Sequence, residues 1–345
     1  MQIRLATIED SIRWNDYCQK QANLPPLPNY EWLQVFEDTY GVKIFPIVAL
    51  DESNEIRGLL PIYQIFDYMG NPNLYSLKNS LIADDIDTIH KLIGYTEQLA
   101  QERNAKQVII TSGYHRLELP NHFMPIQTVT LDISPNEDEM WMFIRGKARN
   151  MIKKATKDGI VTKQGIHHLK EFYEMYSQRM LQKGVRIHSL AYFENIVKYM
   201  ENQTQFFIAK RDGETIGGML LVYGKDTGAY VFGGSLVGRG TSPNQLLLWE
   251  MIRFSIKNGI KNLDLGESAA GSGVYNFKVW FGGTPRDIHY YKFTYEPKKK
   301  SKITHLIQVL RGQFLRLTSF ALLQYGTPGL KRKAAIWKRQ KGPLQ

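Results

Sequence analysis

One seventeen-residue pattern occurs twice in this chain without a gap, and this repetition constrains the fold more than any other feature. Residues 47–63 read IVALDESNEIRGLLPIY and residues 207–223 read FIAKRDGETIGGMLLVY. At a constant offset of 160, Val48 meets Ile208, Ala49 meets Ala209, Ile56 meets Ile216, Gly58 meets Gly218, Leu60 meets Leu220 and Tyr63 meets Tyr223. Each copy reads as a strand, a polar turn and a second strand, which is a β-hairpin. Each is followed by a helical pattern and a further strand: 88–103 leading to 107–111, and 243–258 leading to 262–265. Such self-similarity is expected of a duplicated domain. A chance likeness between two hairpins is the alternative, and the repeated helix–strand order argues against it.

A length of 345 residues accommodates two such domains, each able to bury its own core. The boundary is expected near residue 133, because Ser134-Pro135-Asn136-Glu137 reads as a helix start with Ser134 as N-cap and Pro135 in the first turn. Trp141, Ile144, Ala148, Ile152 and Ala155 then recur at helical spacing up to Gly159. A second helix is expected over 169–182, with Phe172, Met175, Tyr176 and Met180 on its core face. These signals divide the chain into a first domain over 1–133, a second over 134–297 and a C-terminal tail over 298–345.

The net charge of +11 lies in that tail, which holds 12 Lys and Arg and no Asp or Glu, leaving 32 basic against 33 acidic residues elsewhere. Ile303, Leu306, Ile307, Leu310, Phe314 and Leu317 form an apolar stripe there, as in a basic amphipathic helix. Such a tail favours phosphate-rich partners, either nucleic acid or an anionic membrane surface, or it docks on the body of the protein or serves solubility alone. With Cys18 as the only cysteine there is no disulfide, thiolate metal cluster or Cys-x-x-Cys pair, and no metal site is expected. No signal peptide and no run of 18 apolar residues are apparent, which points to the cytoplasm, with peripheral attachment to the membrane through the tail.

Three segments carry residues suited to chemistry. The first is the glycine-rich stretch 232–243, containing Gly233 and Arg239, which is expected to form a loop opening the helix at Pro243 and Asn244. A helix N-terminus with an adjacent arginine suits an anion, although a turn without a ligand has the same appearance. The second is Arg145, Arg149 and Lys153, at i, i+4 and i+8, with no acidic residue between Trp141 and Lys157. This face suits a phosphorylated substrate or is simply solvated. The third runs from Asp264 and Glu267 through Tyr275, Phe277 and Lys278 to Gly282 and Gly283, read as a strand end, a loop and a short helix. There a lysine among aromatics could stabilise charge developing on a carbonyl oxygen, or be structural.

Taken in order, these residues resemble the Fem aminoacyltransferase family within the GNAT acyltransferase superfamily, over most of residues 1–295. The resemblance is carried by Tyr40-Gly41 and Gly58-Leu59-Leu60-Pro61, by Arg149 with its lysine neighbours, by Gly213-x-x-Ile216-Gly217-Gly218, Tyr230-x-x-Gly233 and Pro243-Asn244, and most specifically by Tyr275-x-Phe277-Lys278-x-x-Phe281-Gly282. It implies an α/β (α+β) fold of two tandem GNAT-like domains, each a mixed, mostly antiparallel sheet flanked by helices, the second being catalytic. It further implies direct attack of an acceptor amine on an activated carbonyl, with Phe277 and Lys278 at the reaction centre. The donor would be aminoacyl-tRNA or acyl-CoA. The acceptor would be a nucleotide- or lipid-linked cell-envelope precursor whose phosphates meet basic residues such as Arg149. Asp264 or Glu267 would take the amine proton, and no covalent enzyme intermediate is required, in keeping with the lack of a recognisable nucleophile arrangement.

The chain also departs from this pattern. Arg239-Gly240-Thr241-Ser242-Pro243-Asn244 does not fit the pyrophosphate loop of acyl-CoA enzymes, because Pro243 removes an N–H. Glu267 stands where many relatives carry arginine. The long charged helical hairpin of some peptidoglycan-bridge enzymes is absent. The expected activity is therefore (amino)acyl transfer to an amine of a peptidoglycan peptide or amino sugar. The alternatives are an acyl-CoA-dependent N-acyltransferase of polysaccharide synthesis and a non-catalytic scaffold that binds RNA or membrane.

Overall fold

The computed structural model describes residues 1–296 apart from 68, 114–115, 120–121 and 239–240, and gives only the backbone of 122–125. Segment 298–345, and with it the proposed amphipathic tail, lies outside the described residues.

The chain begins with β1 (Gln2–Leu5), α1 (Ser11–Lys20), α2 (Tyr30–Tyr40), β2 (Lys43–Leu50), β3 (Ile56–Phe66), β4 (Pro72–Ser76), β5 (Ile82–Ala83), α3 (Ile86–Glu102), β6 (Gln107–Ser112) and β7 (His122–Asp132). It continues through α4 (Glu137–Phe143), α5 (Gly146–Lys157), β8 (Val161–Gln164), α6 (Leu169–Gln182), α7 (Leu190–Met200), β9 (Thr204–Arg211) and β10 (Glu214–Tyr223). The last elements are β11 (Thr227–Ser235), α8 (Asn244–Lys257), β12 (Asn262–Ser268), α9 (Gly273–Val279) and β13 (Thr284–Thr294).

Two compact units result. Of the described residues, the first comprises 1–9, 40–125 and 288–296; the second comprises 10–39 and 126–287. Strands neighbour one another in the order β1-β2-β3-β4-β6-β13 in the first unit and β8-β9-β10-β11-β12-β7 in the second. The two orders correspond strand for strand. In each, the one parallel pair of the path, β4 with β6 or β11 with β12, is joined through a helix, α3 or α8, as parallel pairing requires. The fold is therefore a tandem pair of mixed, mostly antiparallel sheets flanked by helices.

The division by contacts differs from a single cut after residue 133. β7 follows β6 in the chain yet pairs with β12, and β13 follows β12 yet pairs with β6. Each unit thus takes its last strand from the other half of the sequence, which a linear reading cannot register.

The repeated hairpins also differ in pairing by one residue. Ala49 faces Gly58, whereas its counterpart Ala209 faces Gly217 instead of Gly218. Turn chemistry accounts for the difference. Asp212 and Gly213, both at positive φ, close β9 onto β10 in two residues, whereas the first hairpin needs residues 52–54, with Asn54 at φ 62°. In the second hairpin, adjacent Gly217 and Gly218 point to opposite sheet faces. A Cβ on Gly217 would lie 2.6 Å from Pro243 Cγ, and one on Gly218 would lie 2.9 Å from Phe172. The glycines therefore let the start of α8 and the middle of α6 approach the sheet from opposite sides.

Helix α6 covers the expected 169–182, with Phe172, Met175 and Tyr176 buried. The helix expected to start at Ser134 is capped instead by Asn136, whose side chain accepts the N–H groups of Asp138 and Glu139. It also breaks at Ile144 and Arg145, both extended, so that Arg145 becomes the N-cap of α5 and does not share a helix face with Arg149 and Lys153. The break leaves Ile144, Ala148, Ile152 and Ala155 all buried, which is why the apolar spacing looked continuous.

Candidate active site

The parallel ladder between β11 and β12 is short, pairing only Thr227–Ala229 with Asn262–Asp264. Beyond it both strands are irregular. Val231 is an extra residue in β11, between the pairs Leu221–Tyr230 and Leu220–Phe232. In β12, Leu265 and Gly266 bulge opposite the single residue Val129 of β7. Bulges of this kind bend a strand and re-aim its side chains. The bulge in β11 brings Tyr230 and Gly233 onto one side, where a Cβ on Gly233 would sit 2.3 Å from the Tyr230 hydroxyl. Gly233 and Gly234 belong to the strand, not to the predicted loop, and at Gly233 the Tyr230 ring occupies the space a side chain would need. Burial pushes the ionisation of that phenol well above its ordinary range.

The bulge in β12 is tied internally. Gly266 has φ 78°, a left-handed conformation that glycine adopts at no steric cost. Oδ1 of the buried Asp264 accepts from Thr128 Oγ1 at 2.5 Å and from the Gly266 N–H at 2.6 Å. The carbonyls of Gly266 and Glu267 then receive the ammonium of Lys278, at 2.6 and 3.1 Å. Lys278 is only 2% exposed, so these are hydrogen bonds of a charged group with little competition from water.

Lys278 is delivered by α9, which starts at Ser272, whose side chain caps the Tyr275 N–H at 3.1 Å. Phe277 meets the fully buried Phe281 edge to face at 5.7 Å, which anchors the helix end. The chain then turns through Gly282 at φ 89°. At Gly283 it approaches β7 so closely that a Cβ would lie 2.4 Å from Val129. The start of α5 meets this end. Arg145 N–H donates to the Trp280 carbonyl at 2.8 Å, and the Lys147 ammonium lies 4.7 Å over the Trp280 ring. From there Arg145, Lys147, Arg149, Lys153, Lys154 and Lys157 run without an intervening acid, and none makes an ion pair among the described residues.

Of the residues singled out in the sequence, Asp264, Glu267 and Lys278 converge directly, with Phe277 and Tyr275 on the same short helix. Arg145 joins them through its backbone, while Arg149 contacts Met142 Sδ at 3.6 Å one turn on. Asn244 lies in the first turn of α8, its amide donating to Ser235 Oγ at 3.1 Å at the end of β11. Arg239 is outside the described residues. Thr128 and Gln245 escaped sequence reasoning, and Gly266 and Ser268 lay within the third stretch without an assigned role. Among the described residues, the side-chain oxygens of Asn244, Gln245 and Ser268 are buried without a hydrogen-bond partner, at the ends of β11 and β12 or where α8 begins. Such orphaned acceptors lie where α/β folds bind ligands, at the carboxyl ends of parallel strands. The pairing Asp264-x-Gly266 was the one signal present, since a carboxylate two residues before a glycine often bonds that backbone N–H.

The family model described as an acetyltransferase (GNAT) domain matches residues 143–279, from the end of α4 to the end of α9. Residues 143–279 are thus similar to a GNAT acetyltransferase domain. That stretch lies wholly in the second unit and ends one residue after Lys278. Among solved structures, that of FemX is 14% identical, with 89% of this chain and 100% of that chain covered and a TM-score of 0.67. A tandem GNAT protein from the clavulanic acid biosynthesis pathway is 11% identical, with 86% and 99% covered and a TM-score of 0.56. L-PGS from Bacillus licheniformis is 13% identical, with 84% and 98% covered and a TM-score of 0.51. At these identities the likeness establishes the tandem GNAT fold. No curated protein sequence matches the chain. Among the described residues there is no cluster of potential metal ligands, and no helix is long and apolar enough to cross a membrane.

Proposed function

We propose that this GNAT acyltransferase is of the Fem type and transfers an aminoacyl or acyl group to an amine of a phosphate-bearing cell-envelope precursor. The observation that carries this reading is the Lys278 ammonium, buried and held by two backbone carbonyls just past the short β11–β12 ladder. A fixed positive charge there suits the oxyanion that forms when the amine nitrogen attacks the donor carbonyl. The C–N bond forms, the bond from the carbonyl carbon to the carrier breaks, and the departing thiolate or alkoxide takes up the proton released by the amine. The unpaired cations of α5, which starts against the same helix end, favour a substrate with phosphates. The tail over 298–345 would add affinity for lipid phosphates or for the backbone of a tRNA donor.

The first unit is not equipped in the same way, which favours the second as the catalytic one. Past the β4–β6 ladder, Ser76 and Thr111 bond one another, the Leu77 carbonyl and the Asn79 N–H. Helix α3 there begins with an acidic cap, Asp85, whereas the start of α8 has no acid in its first turn and only a 3.4 Å bond from the Asn244 N–H to Ser242 Oγ. The open start of α8 favours a second reading, in which the donor is an acyl-CoA whose phosphates face that helix end.

Thermal unfolding in the presence of acetyl-CoA, longer acyl-CoAs or charged aminoacyl-tRNA tests the donor, since a ligand bound only by the native state raises Tm. A rise with aminoacyl-tRNA alone supports the Fem reading, and a rise with a CoA ester alone selects the second. With the donor that binds, Lys278→Ala should lower kcat by about 100-fold or more while the fold is kept. Retained turnover in a folded Lys278→Ala variant overturns the reading.

A further inference from the structure

We infer that Asp264 is a positioning residue: through the bulge it ties in β12, it sets the two carbonyls that hold Lys278. This inference rests on the assignment of Lys278 to the reaction centre. Asp264 Oδ1 accepts two hydrogen bonds at once, from a side chain on β7 and from the backbone of its own bulge. The Gly266 N–H is pinned by this bond, and the Gly266 carbonyl, on the same residue, is the nearer acceptor of Lys278. Thr128 fixes the other side, on the strand against which the bulge is displaced. The bulge is also closed from above: a Cβ on Gly266 would lie 3.4 Å from the Tyr230 carbonyl and 3.8 Å from the Lys278 ammonium. Asp264, Gly266 and Lys278 are thus linked in series. The carboxylate acts on the reaction through the ammonium, and carries no proton between substrates.

The two roles make opposite demands on a neutral isostere. An asparagine keeps an oxygen able to accept from both Thr128 and Gly266, whereas it cannot take a proton from an amine. Alanine removes both functions. The intrinsic readout is the acetylation rate of Lys278 by acetic anhydride at one fixed pH, followed by mass spectrometry in the full-length protein, with other lysines as internal references. Asp264→Ala should raise that rate about tenfold as the carbonyls lose their fixed placement, a factor typical of losing one hydrogen bond to a charged group. Asp264→Asn should hold it within about twofold. The acyl-transfer assay should follow the same order, with kcat lost in the alanine variant, largely rescued in the asparagine variant, and KM little changed in either.

Asparagine failing as completely as alanine in turnover, while Lys278 labels as in the parent, would make Asp264 the proton acceptor and overturn the inference. So would unaltered labelling in a folded alanine variant. If alanine does not fold, the asparagine variant alone decides between positioning and proton transfer. Lys278→Ala, run beside them, separates the two levels of argument. Full turnover there refutes the assignment of Lys278, whatever Asp264 does to its labelling.

Discussion

His188 should make the second unit acid-sensitive in a predictable interval. It is 3% exposed, stacked on Tyr192 at 4.3 Å and met edge-on by Phe232 at 5.2 Å. Burial in this aromatic box lowers its pKa from 6.5 to about 3. Between those values the unfolded chain binds a proton that the folded chain does not, so stability is full above pH 6.5 and declines as the pH falls towards 3. One pKa unit corresponds to about 1.4 kcal/mol, which makes the loss about 2 kcal/mol at pH 5. Phenylalanine fits the same box without titrating. Urea denaturation of the parent and of His188→Phe at pH 7.5 and at pH 5 should therefore show the parent losing about 2 kcal/mol more than the variant over that interval. Parallel losses in the two proteins would refute the reasoning, because they would mean that His188 takes up its proton in the folded state as easily as in the unfolded one.

Two further predictions concern packing. Gly217→Ala would place a methyl carbon 2.6 Å from a ring atom of Pro243, which cannot swing away as a flexible side chain would. A loss of about 1–3 kcal/mol in urea denaturation is expected, and a change within experimental error would refute the close approach. Thr111→Val in the first unit removes the hydroxyl that receives the Asn79 N–H and donates to the Leu77 carbonyl. It should cost about 1–3 kcal/mol of stability and leave acyl transfer intact; lost turnover in the folded variant would place chemistry in the first unit.

What could be read from the sequence was whatever local spacing encodes. Both hairpins, helix α6, the helix–strand pairs that follow the hairpins, and the short helix carrying Lys278 all have their signals within a few turns or a single loop. The exchange of β7 and β13 has no such signal, because either strand satisfies the same alternation in either sheet. The one-residue difference in hairpin register depended on two turns, Ser53-Asn54 against Asp212-Gly213, acting over strands that look alike. The bulge in β12 was hidden for the same reason. Asp264 and Glu267 were visible as acids at a strand end, but which lone pair meets which donor depends on Thr128, more than 100 residues earlier in the chain.

The repeat explains why the sequence located the fold so much better than the chemistry. Residues that match at offset 160 end at Tyr63 and Tyr223, near the end of β3 and at the end of β10. What distinguishes the units comes later, past the parallel ladders, where nothing aligns at that offset. In the first unit the opening is lined by hydroxyls that satisfy one another and nearby backbone groups, and the Asn79 side-chain oxygen is the buried acceptor left there without a partner among the described residues. In the second it is bounded by an ammonium on two carbonyls and by buried oxygens of Asn244, Gln245 and Ser268 that have no partner among the described residues. Leaving such groups unsatisfied costs stability unless a ligand or ordered water meets them. The first copy settles most of that demand internally. The second keeps more of it, and that difference, more than the shared architecture, supports the proposal of acyl transfer in the unit that holds Lys278.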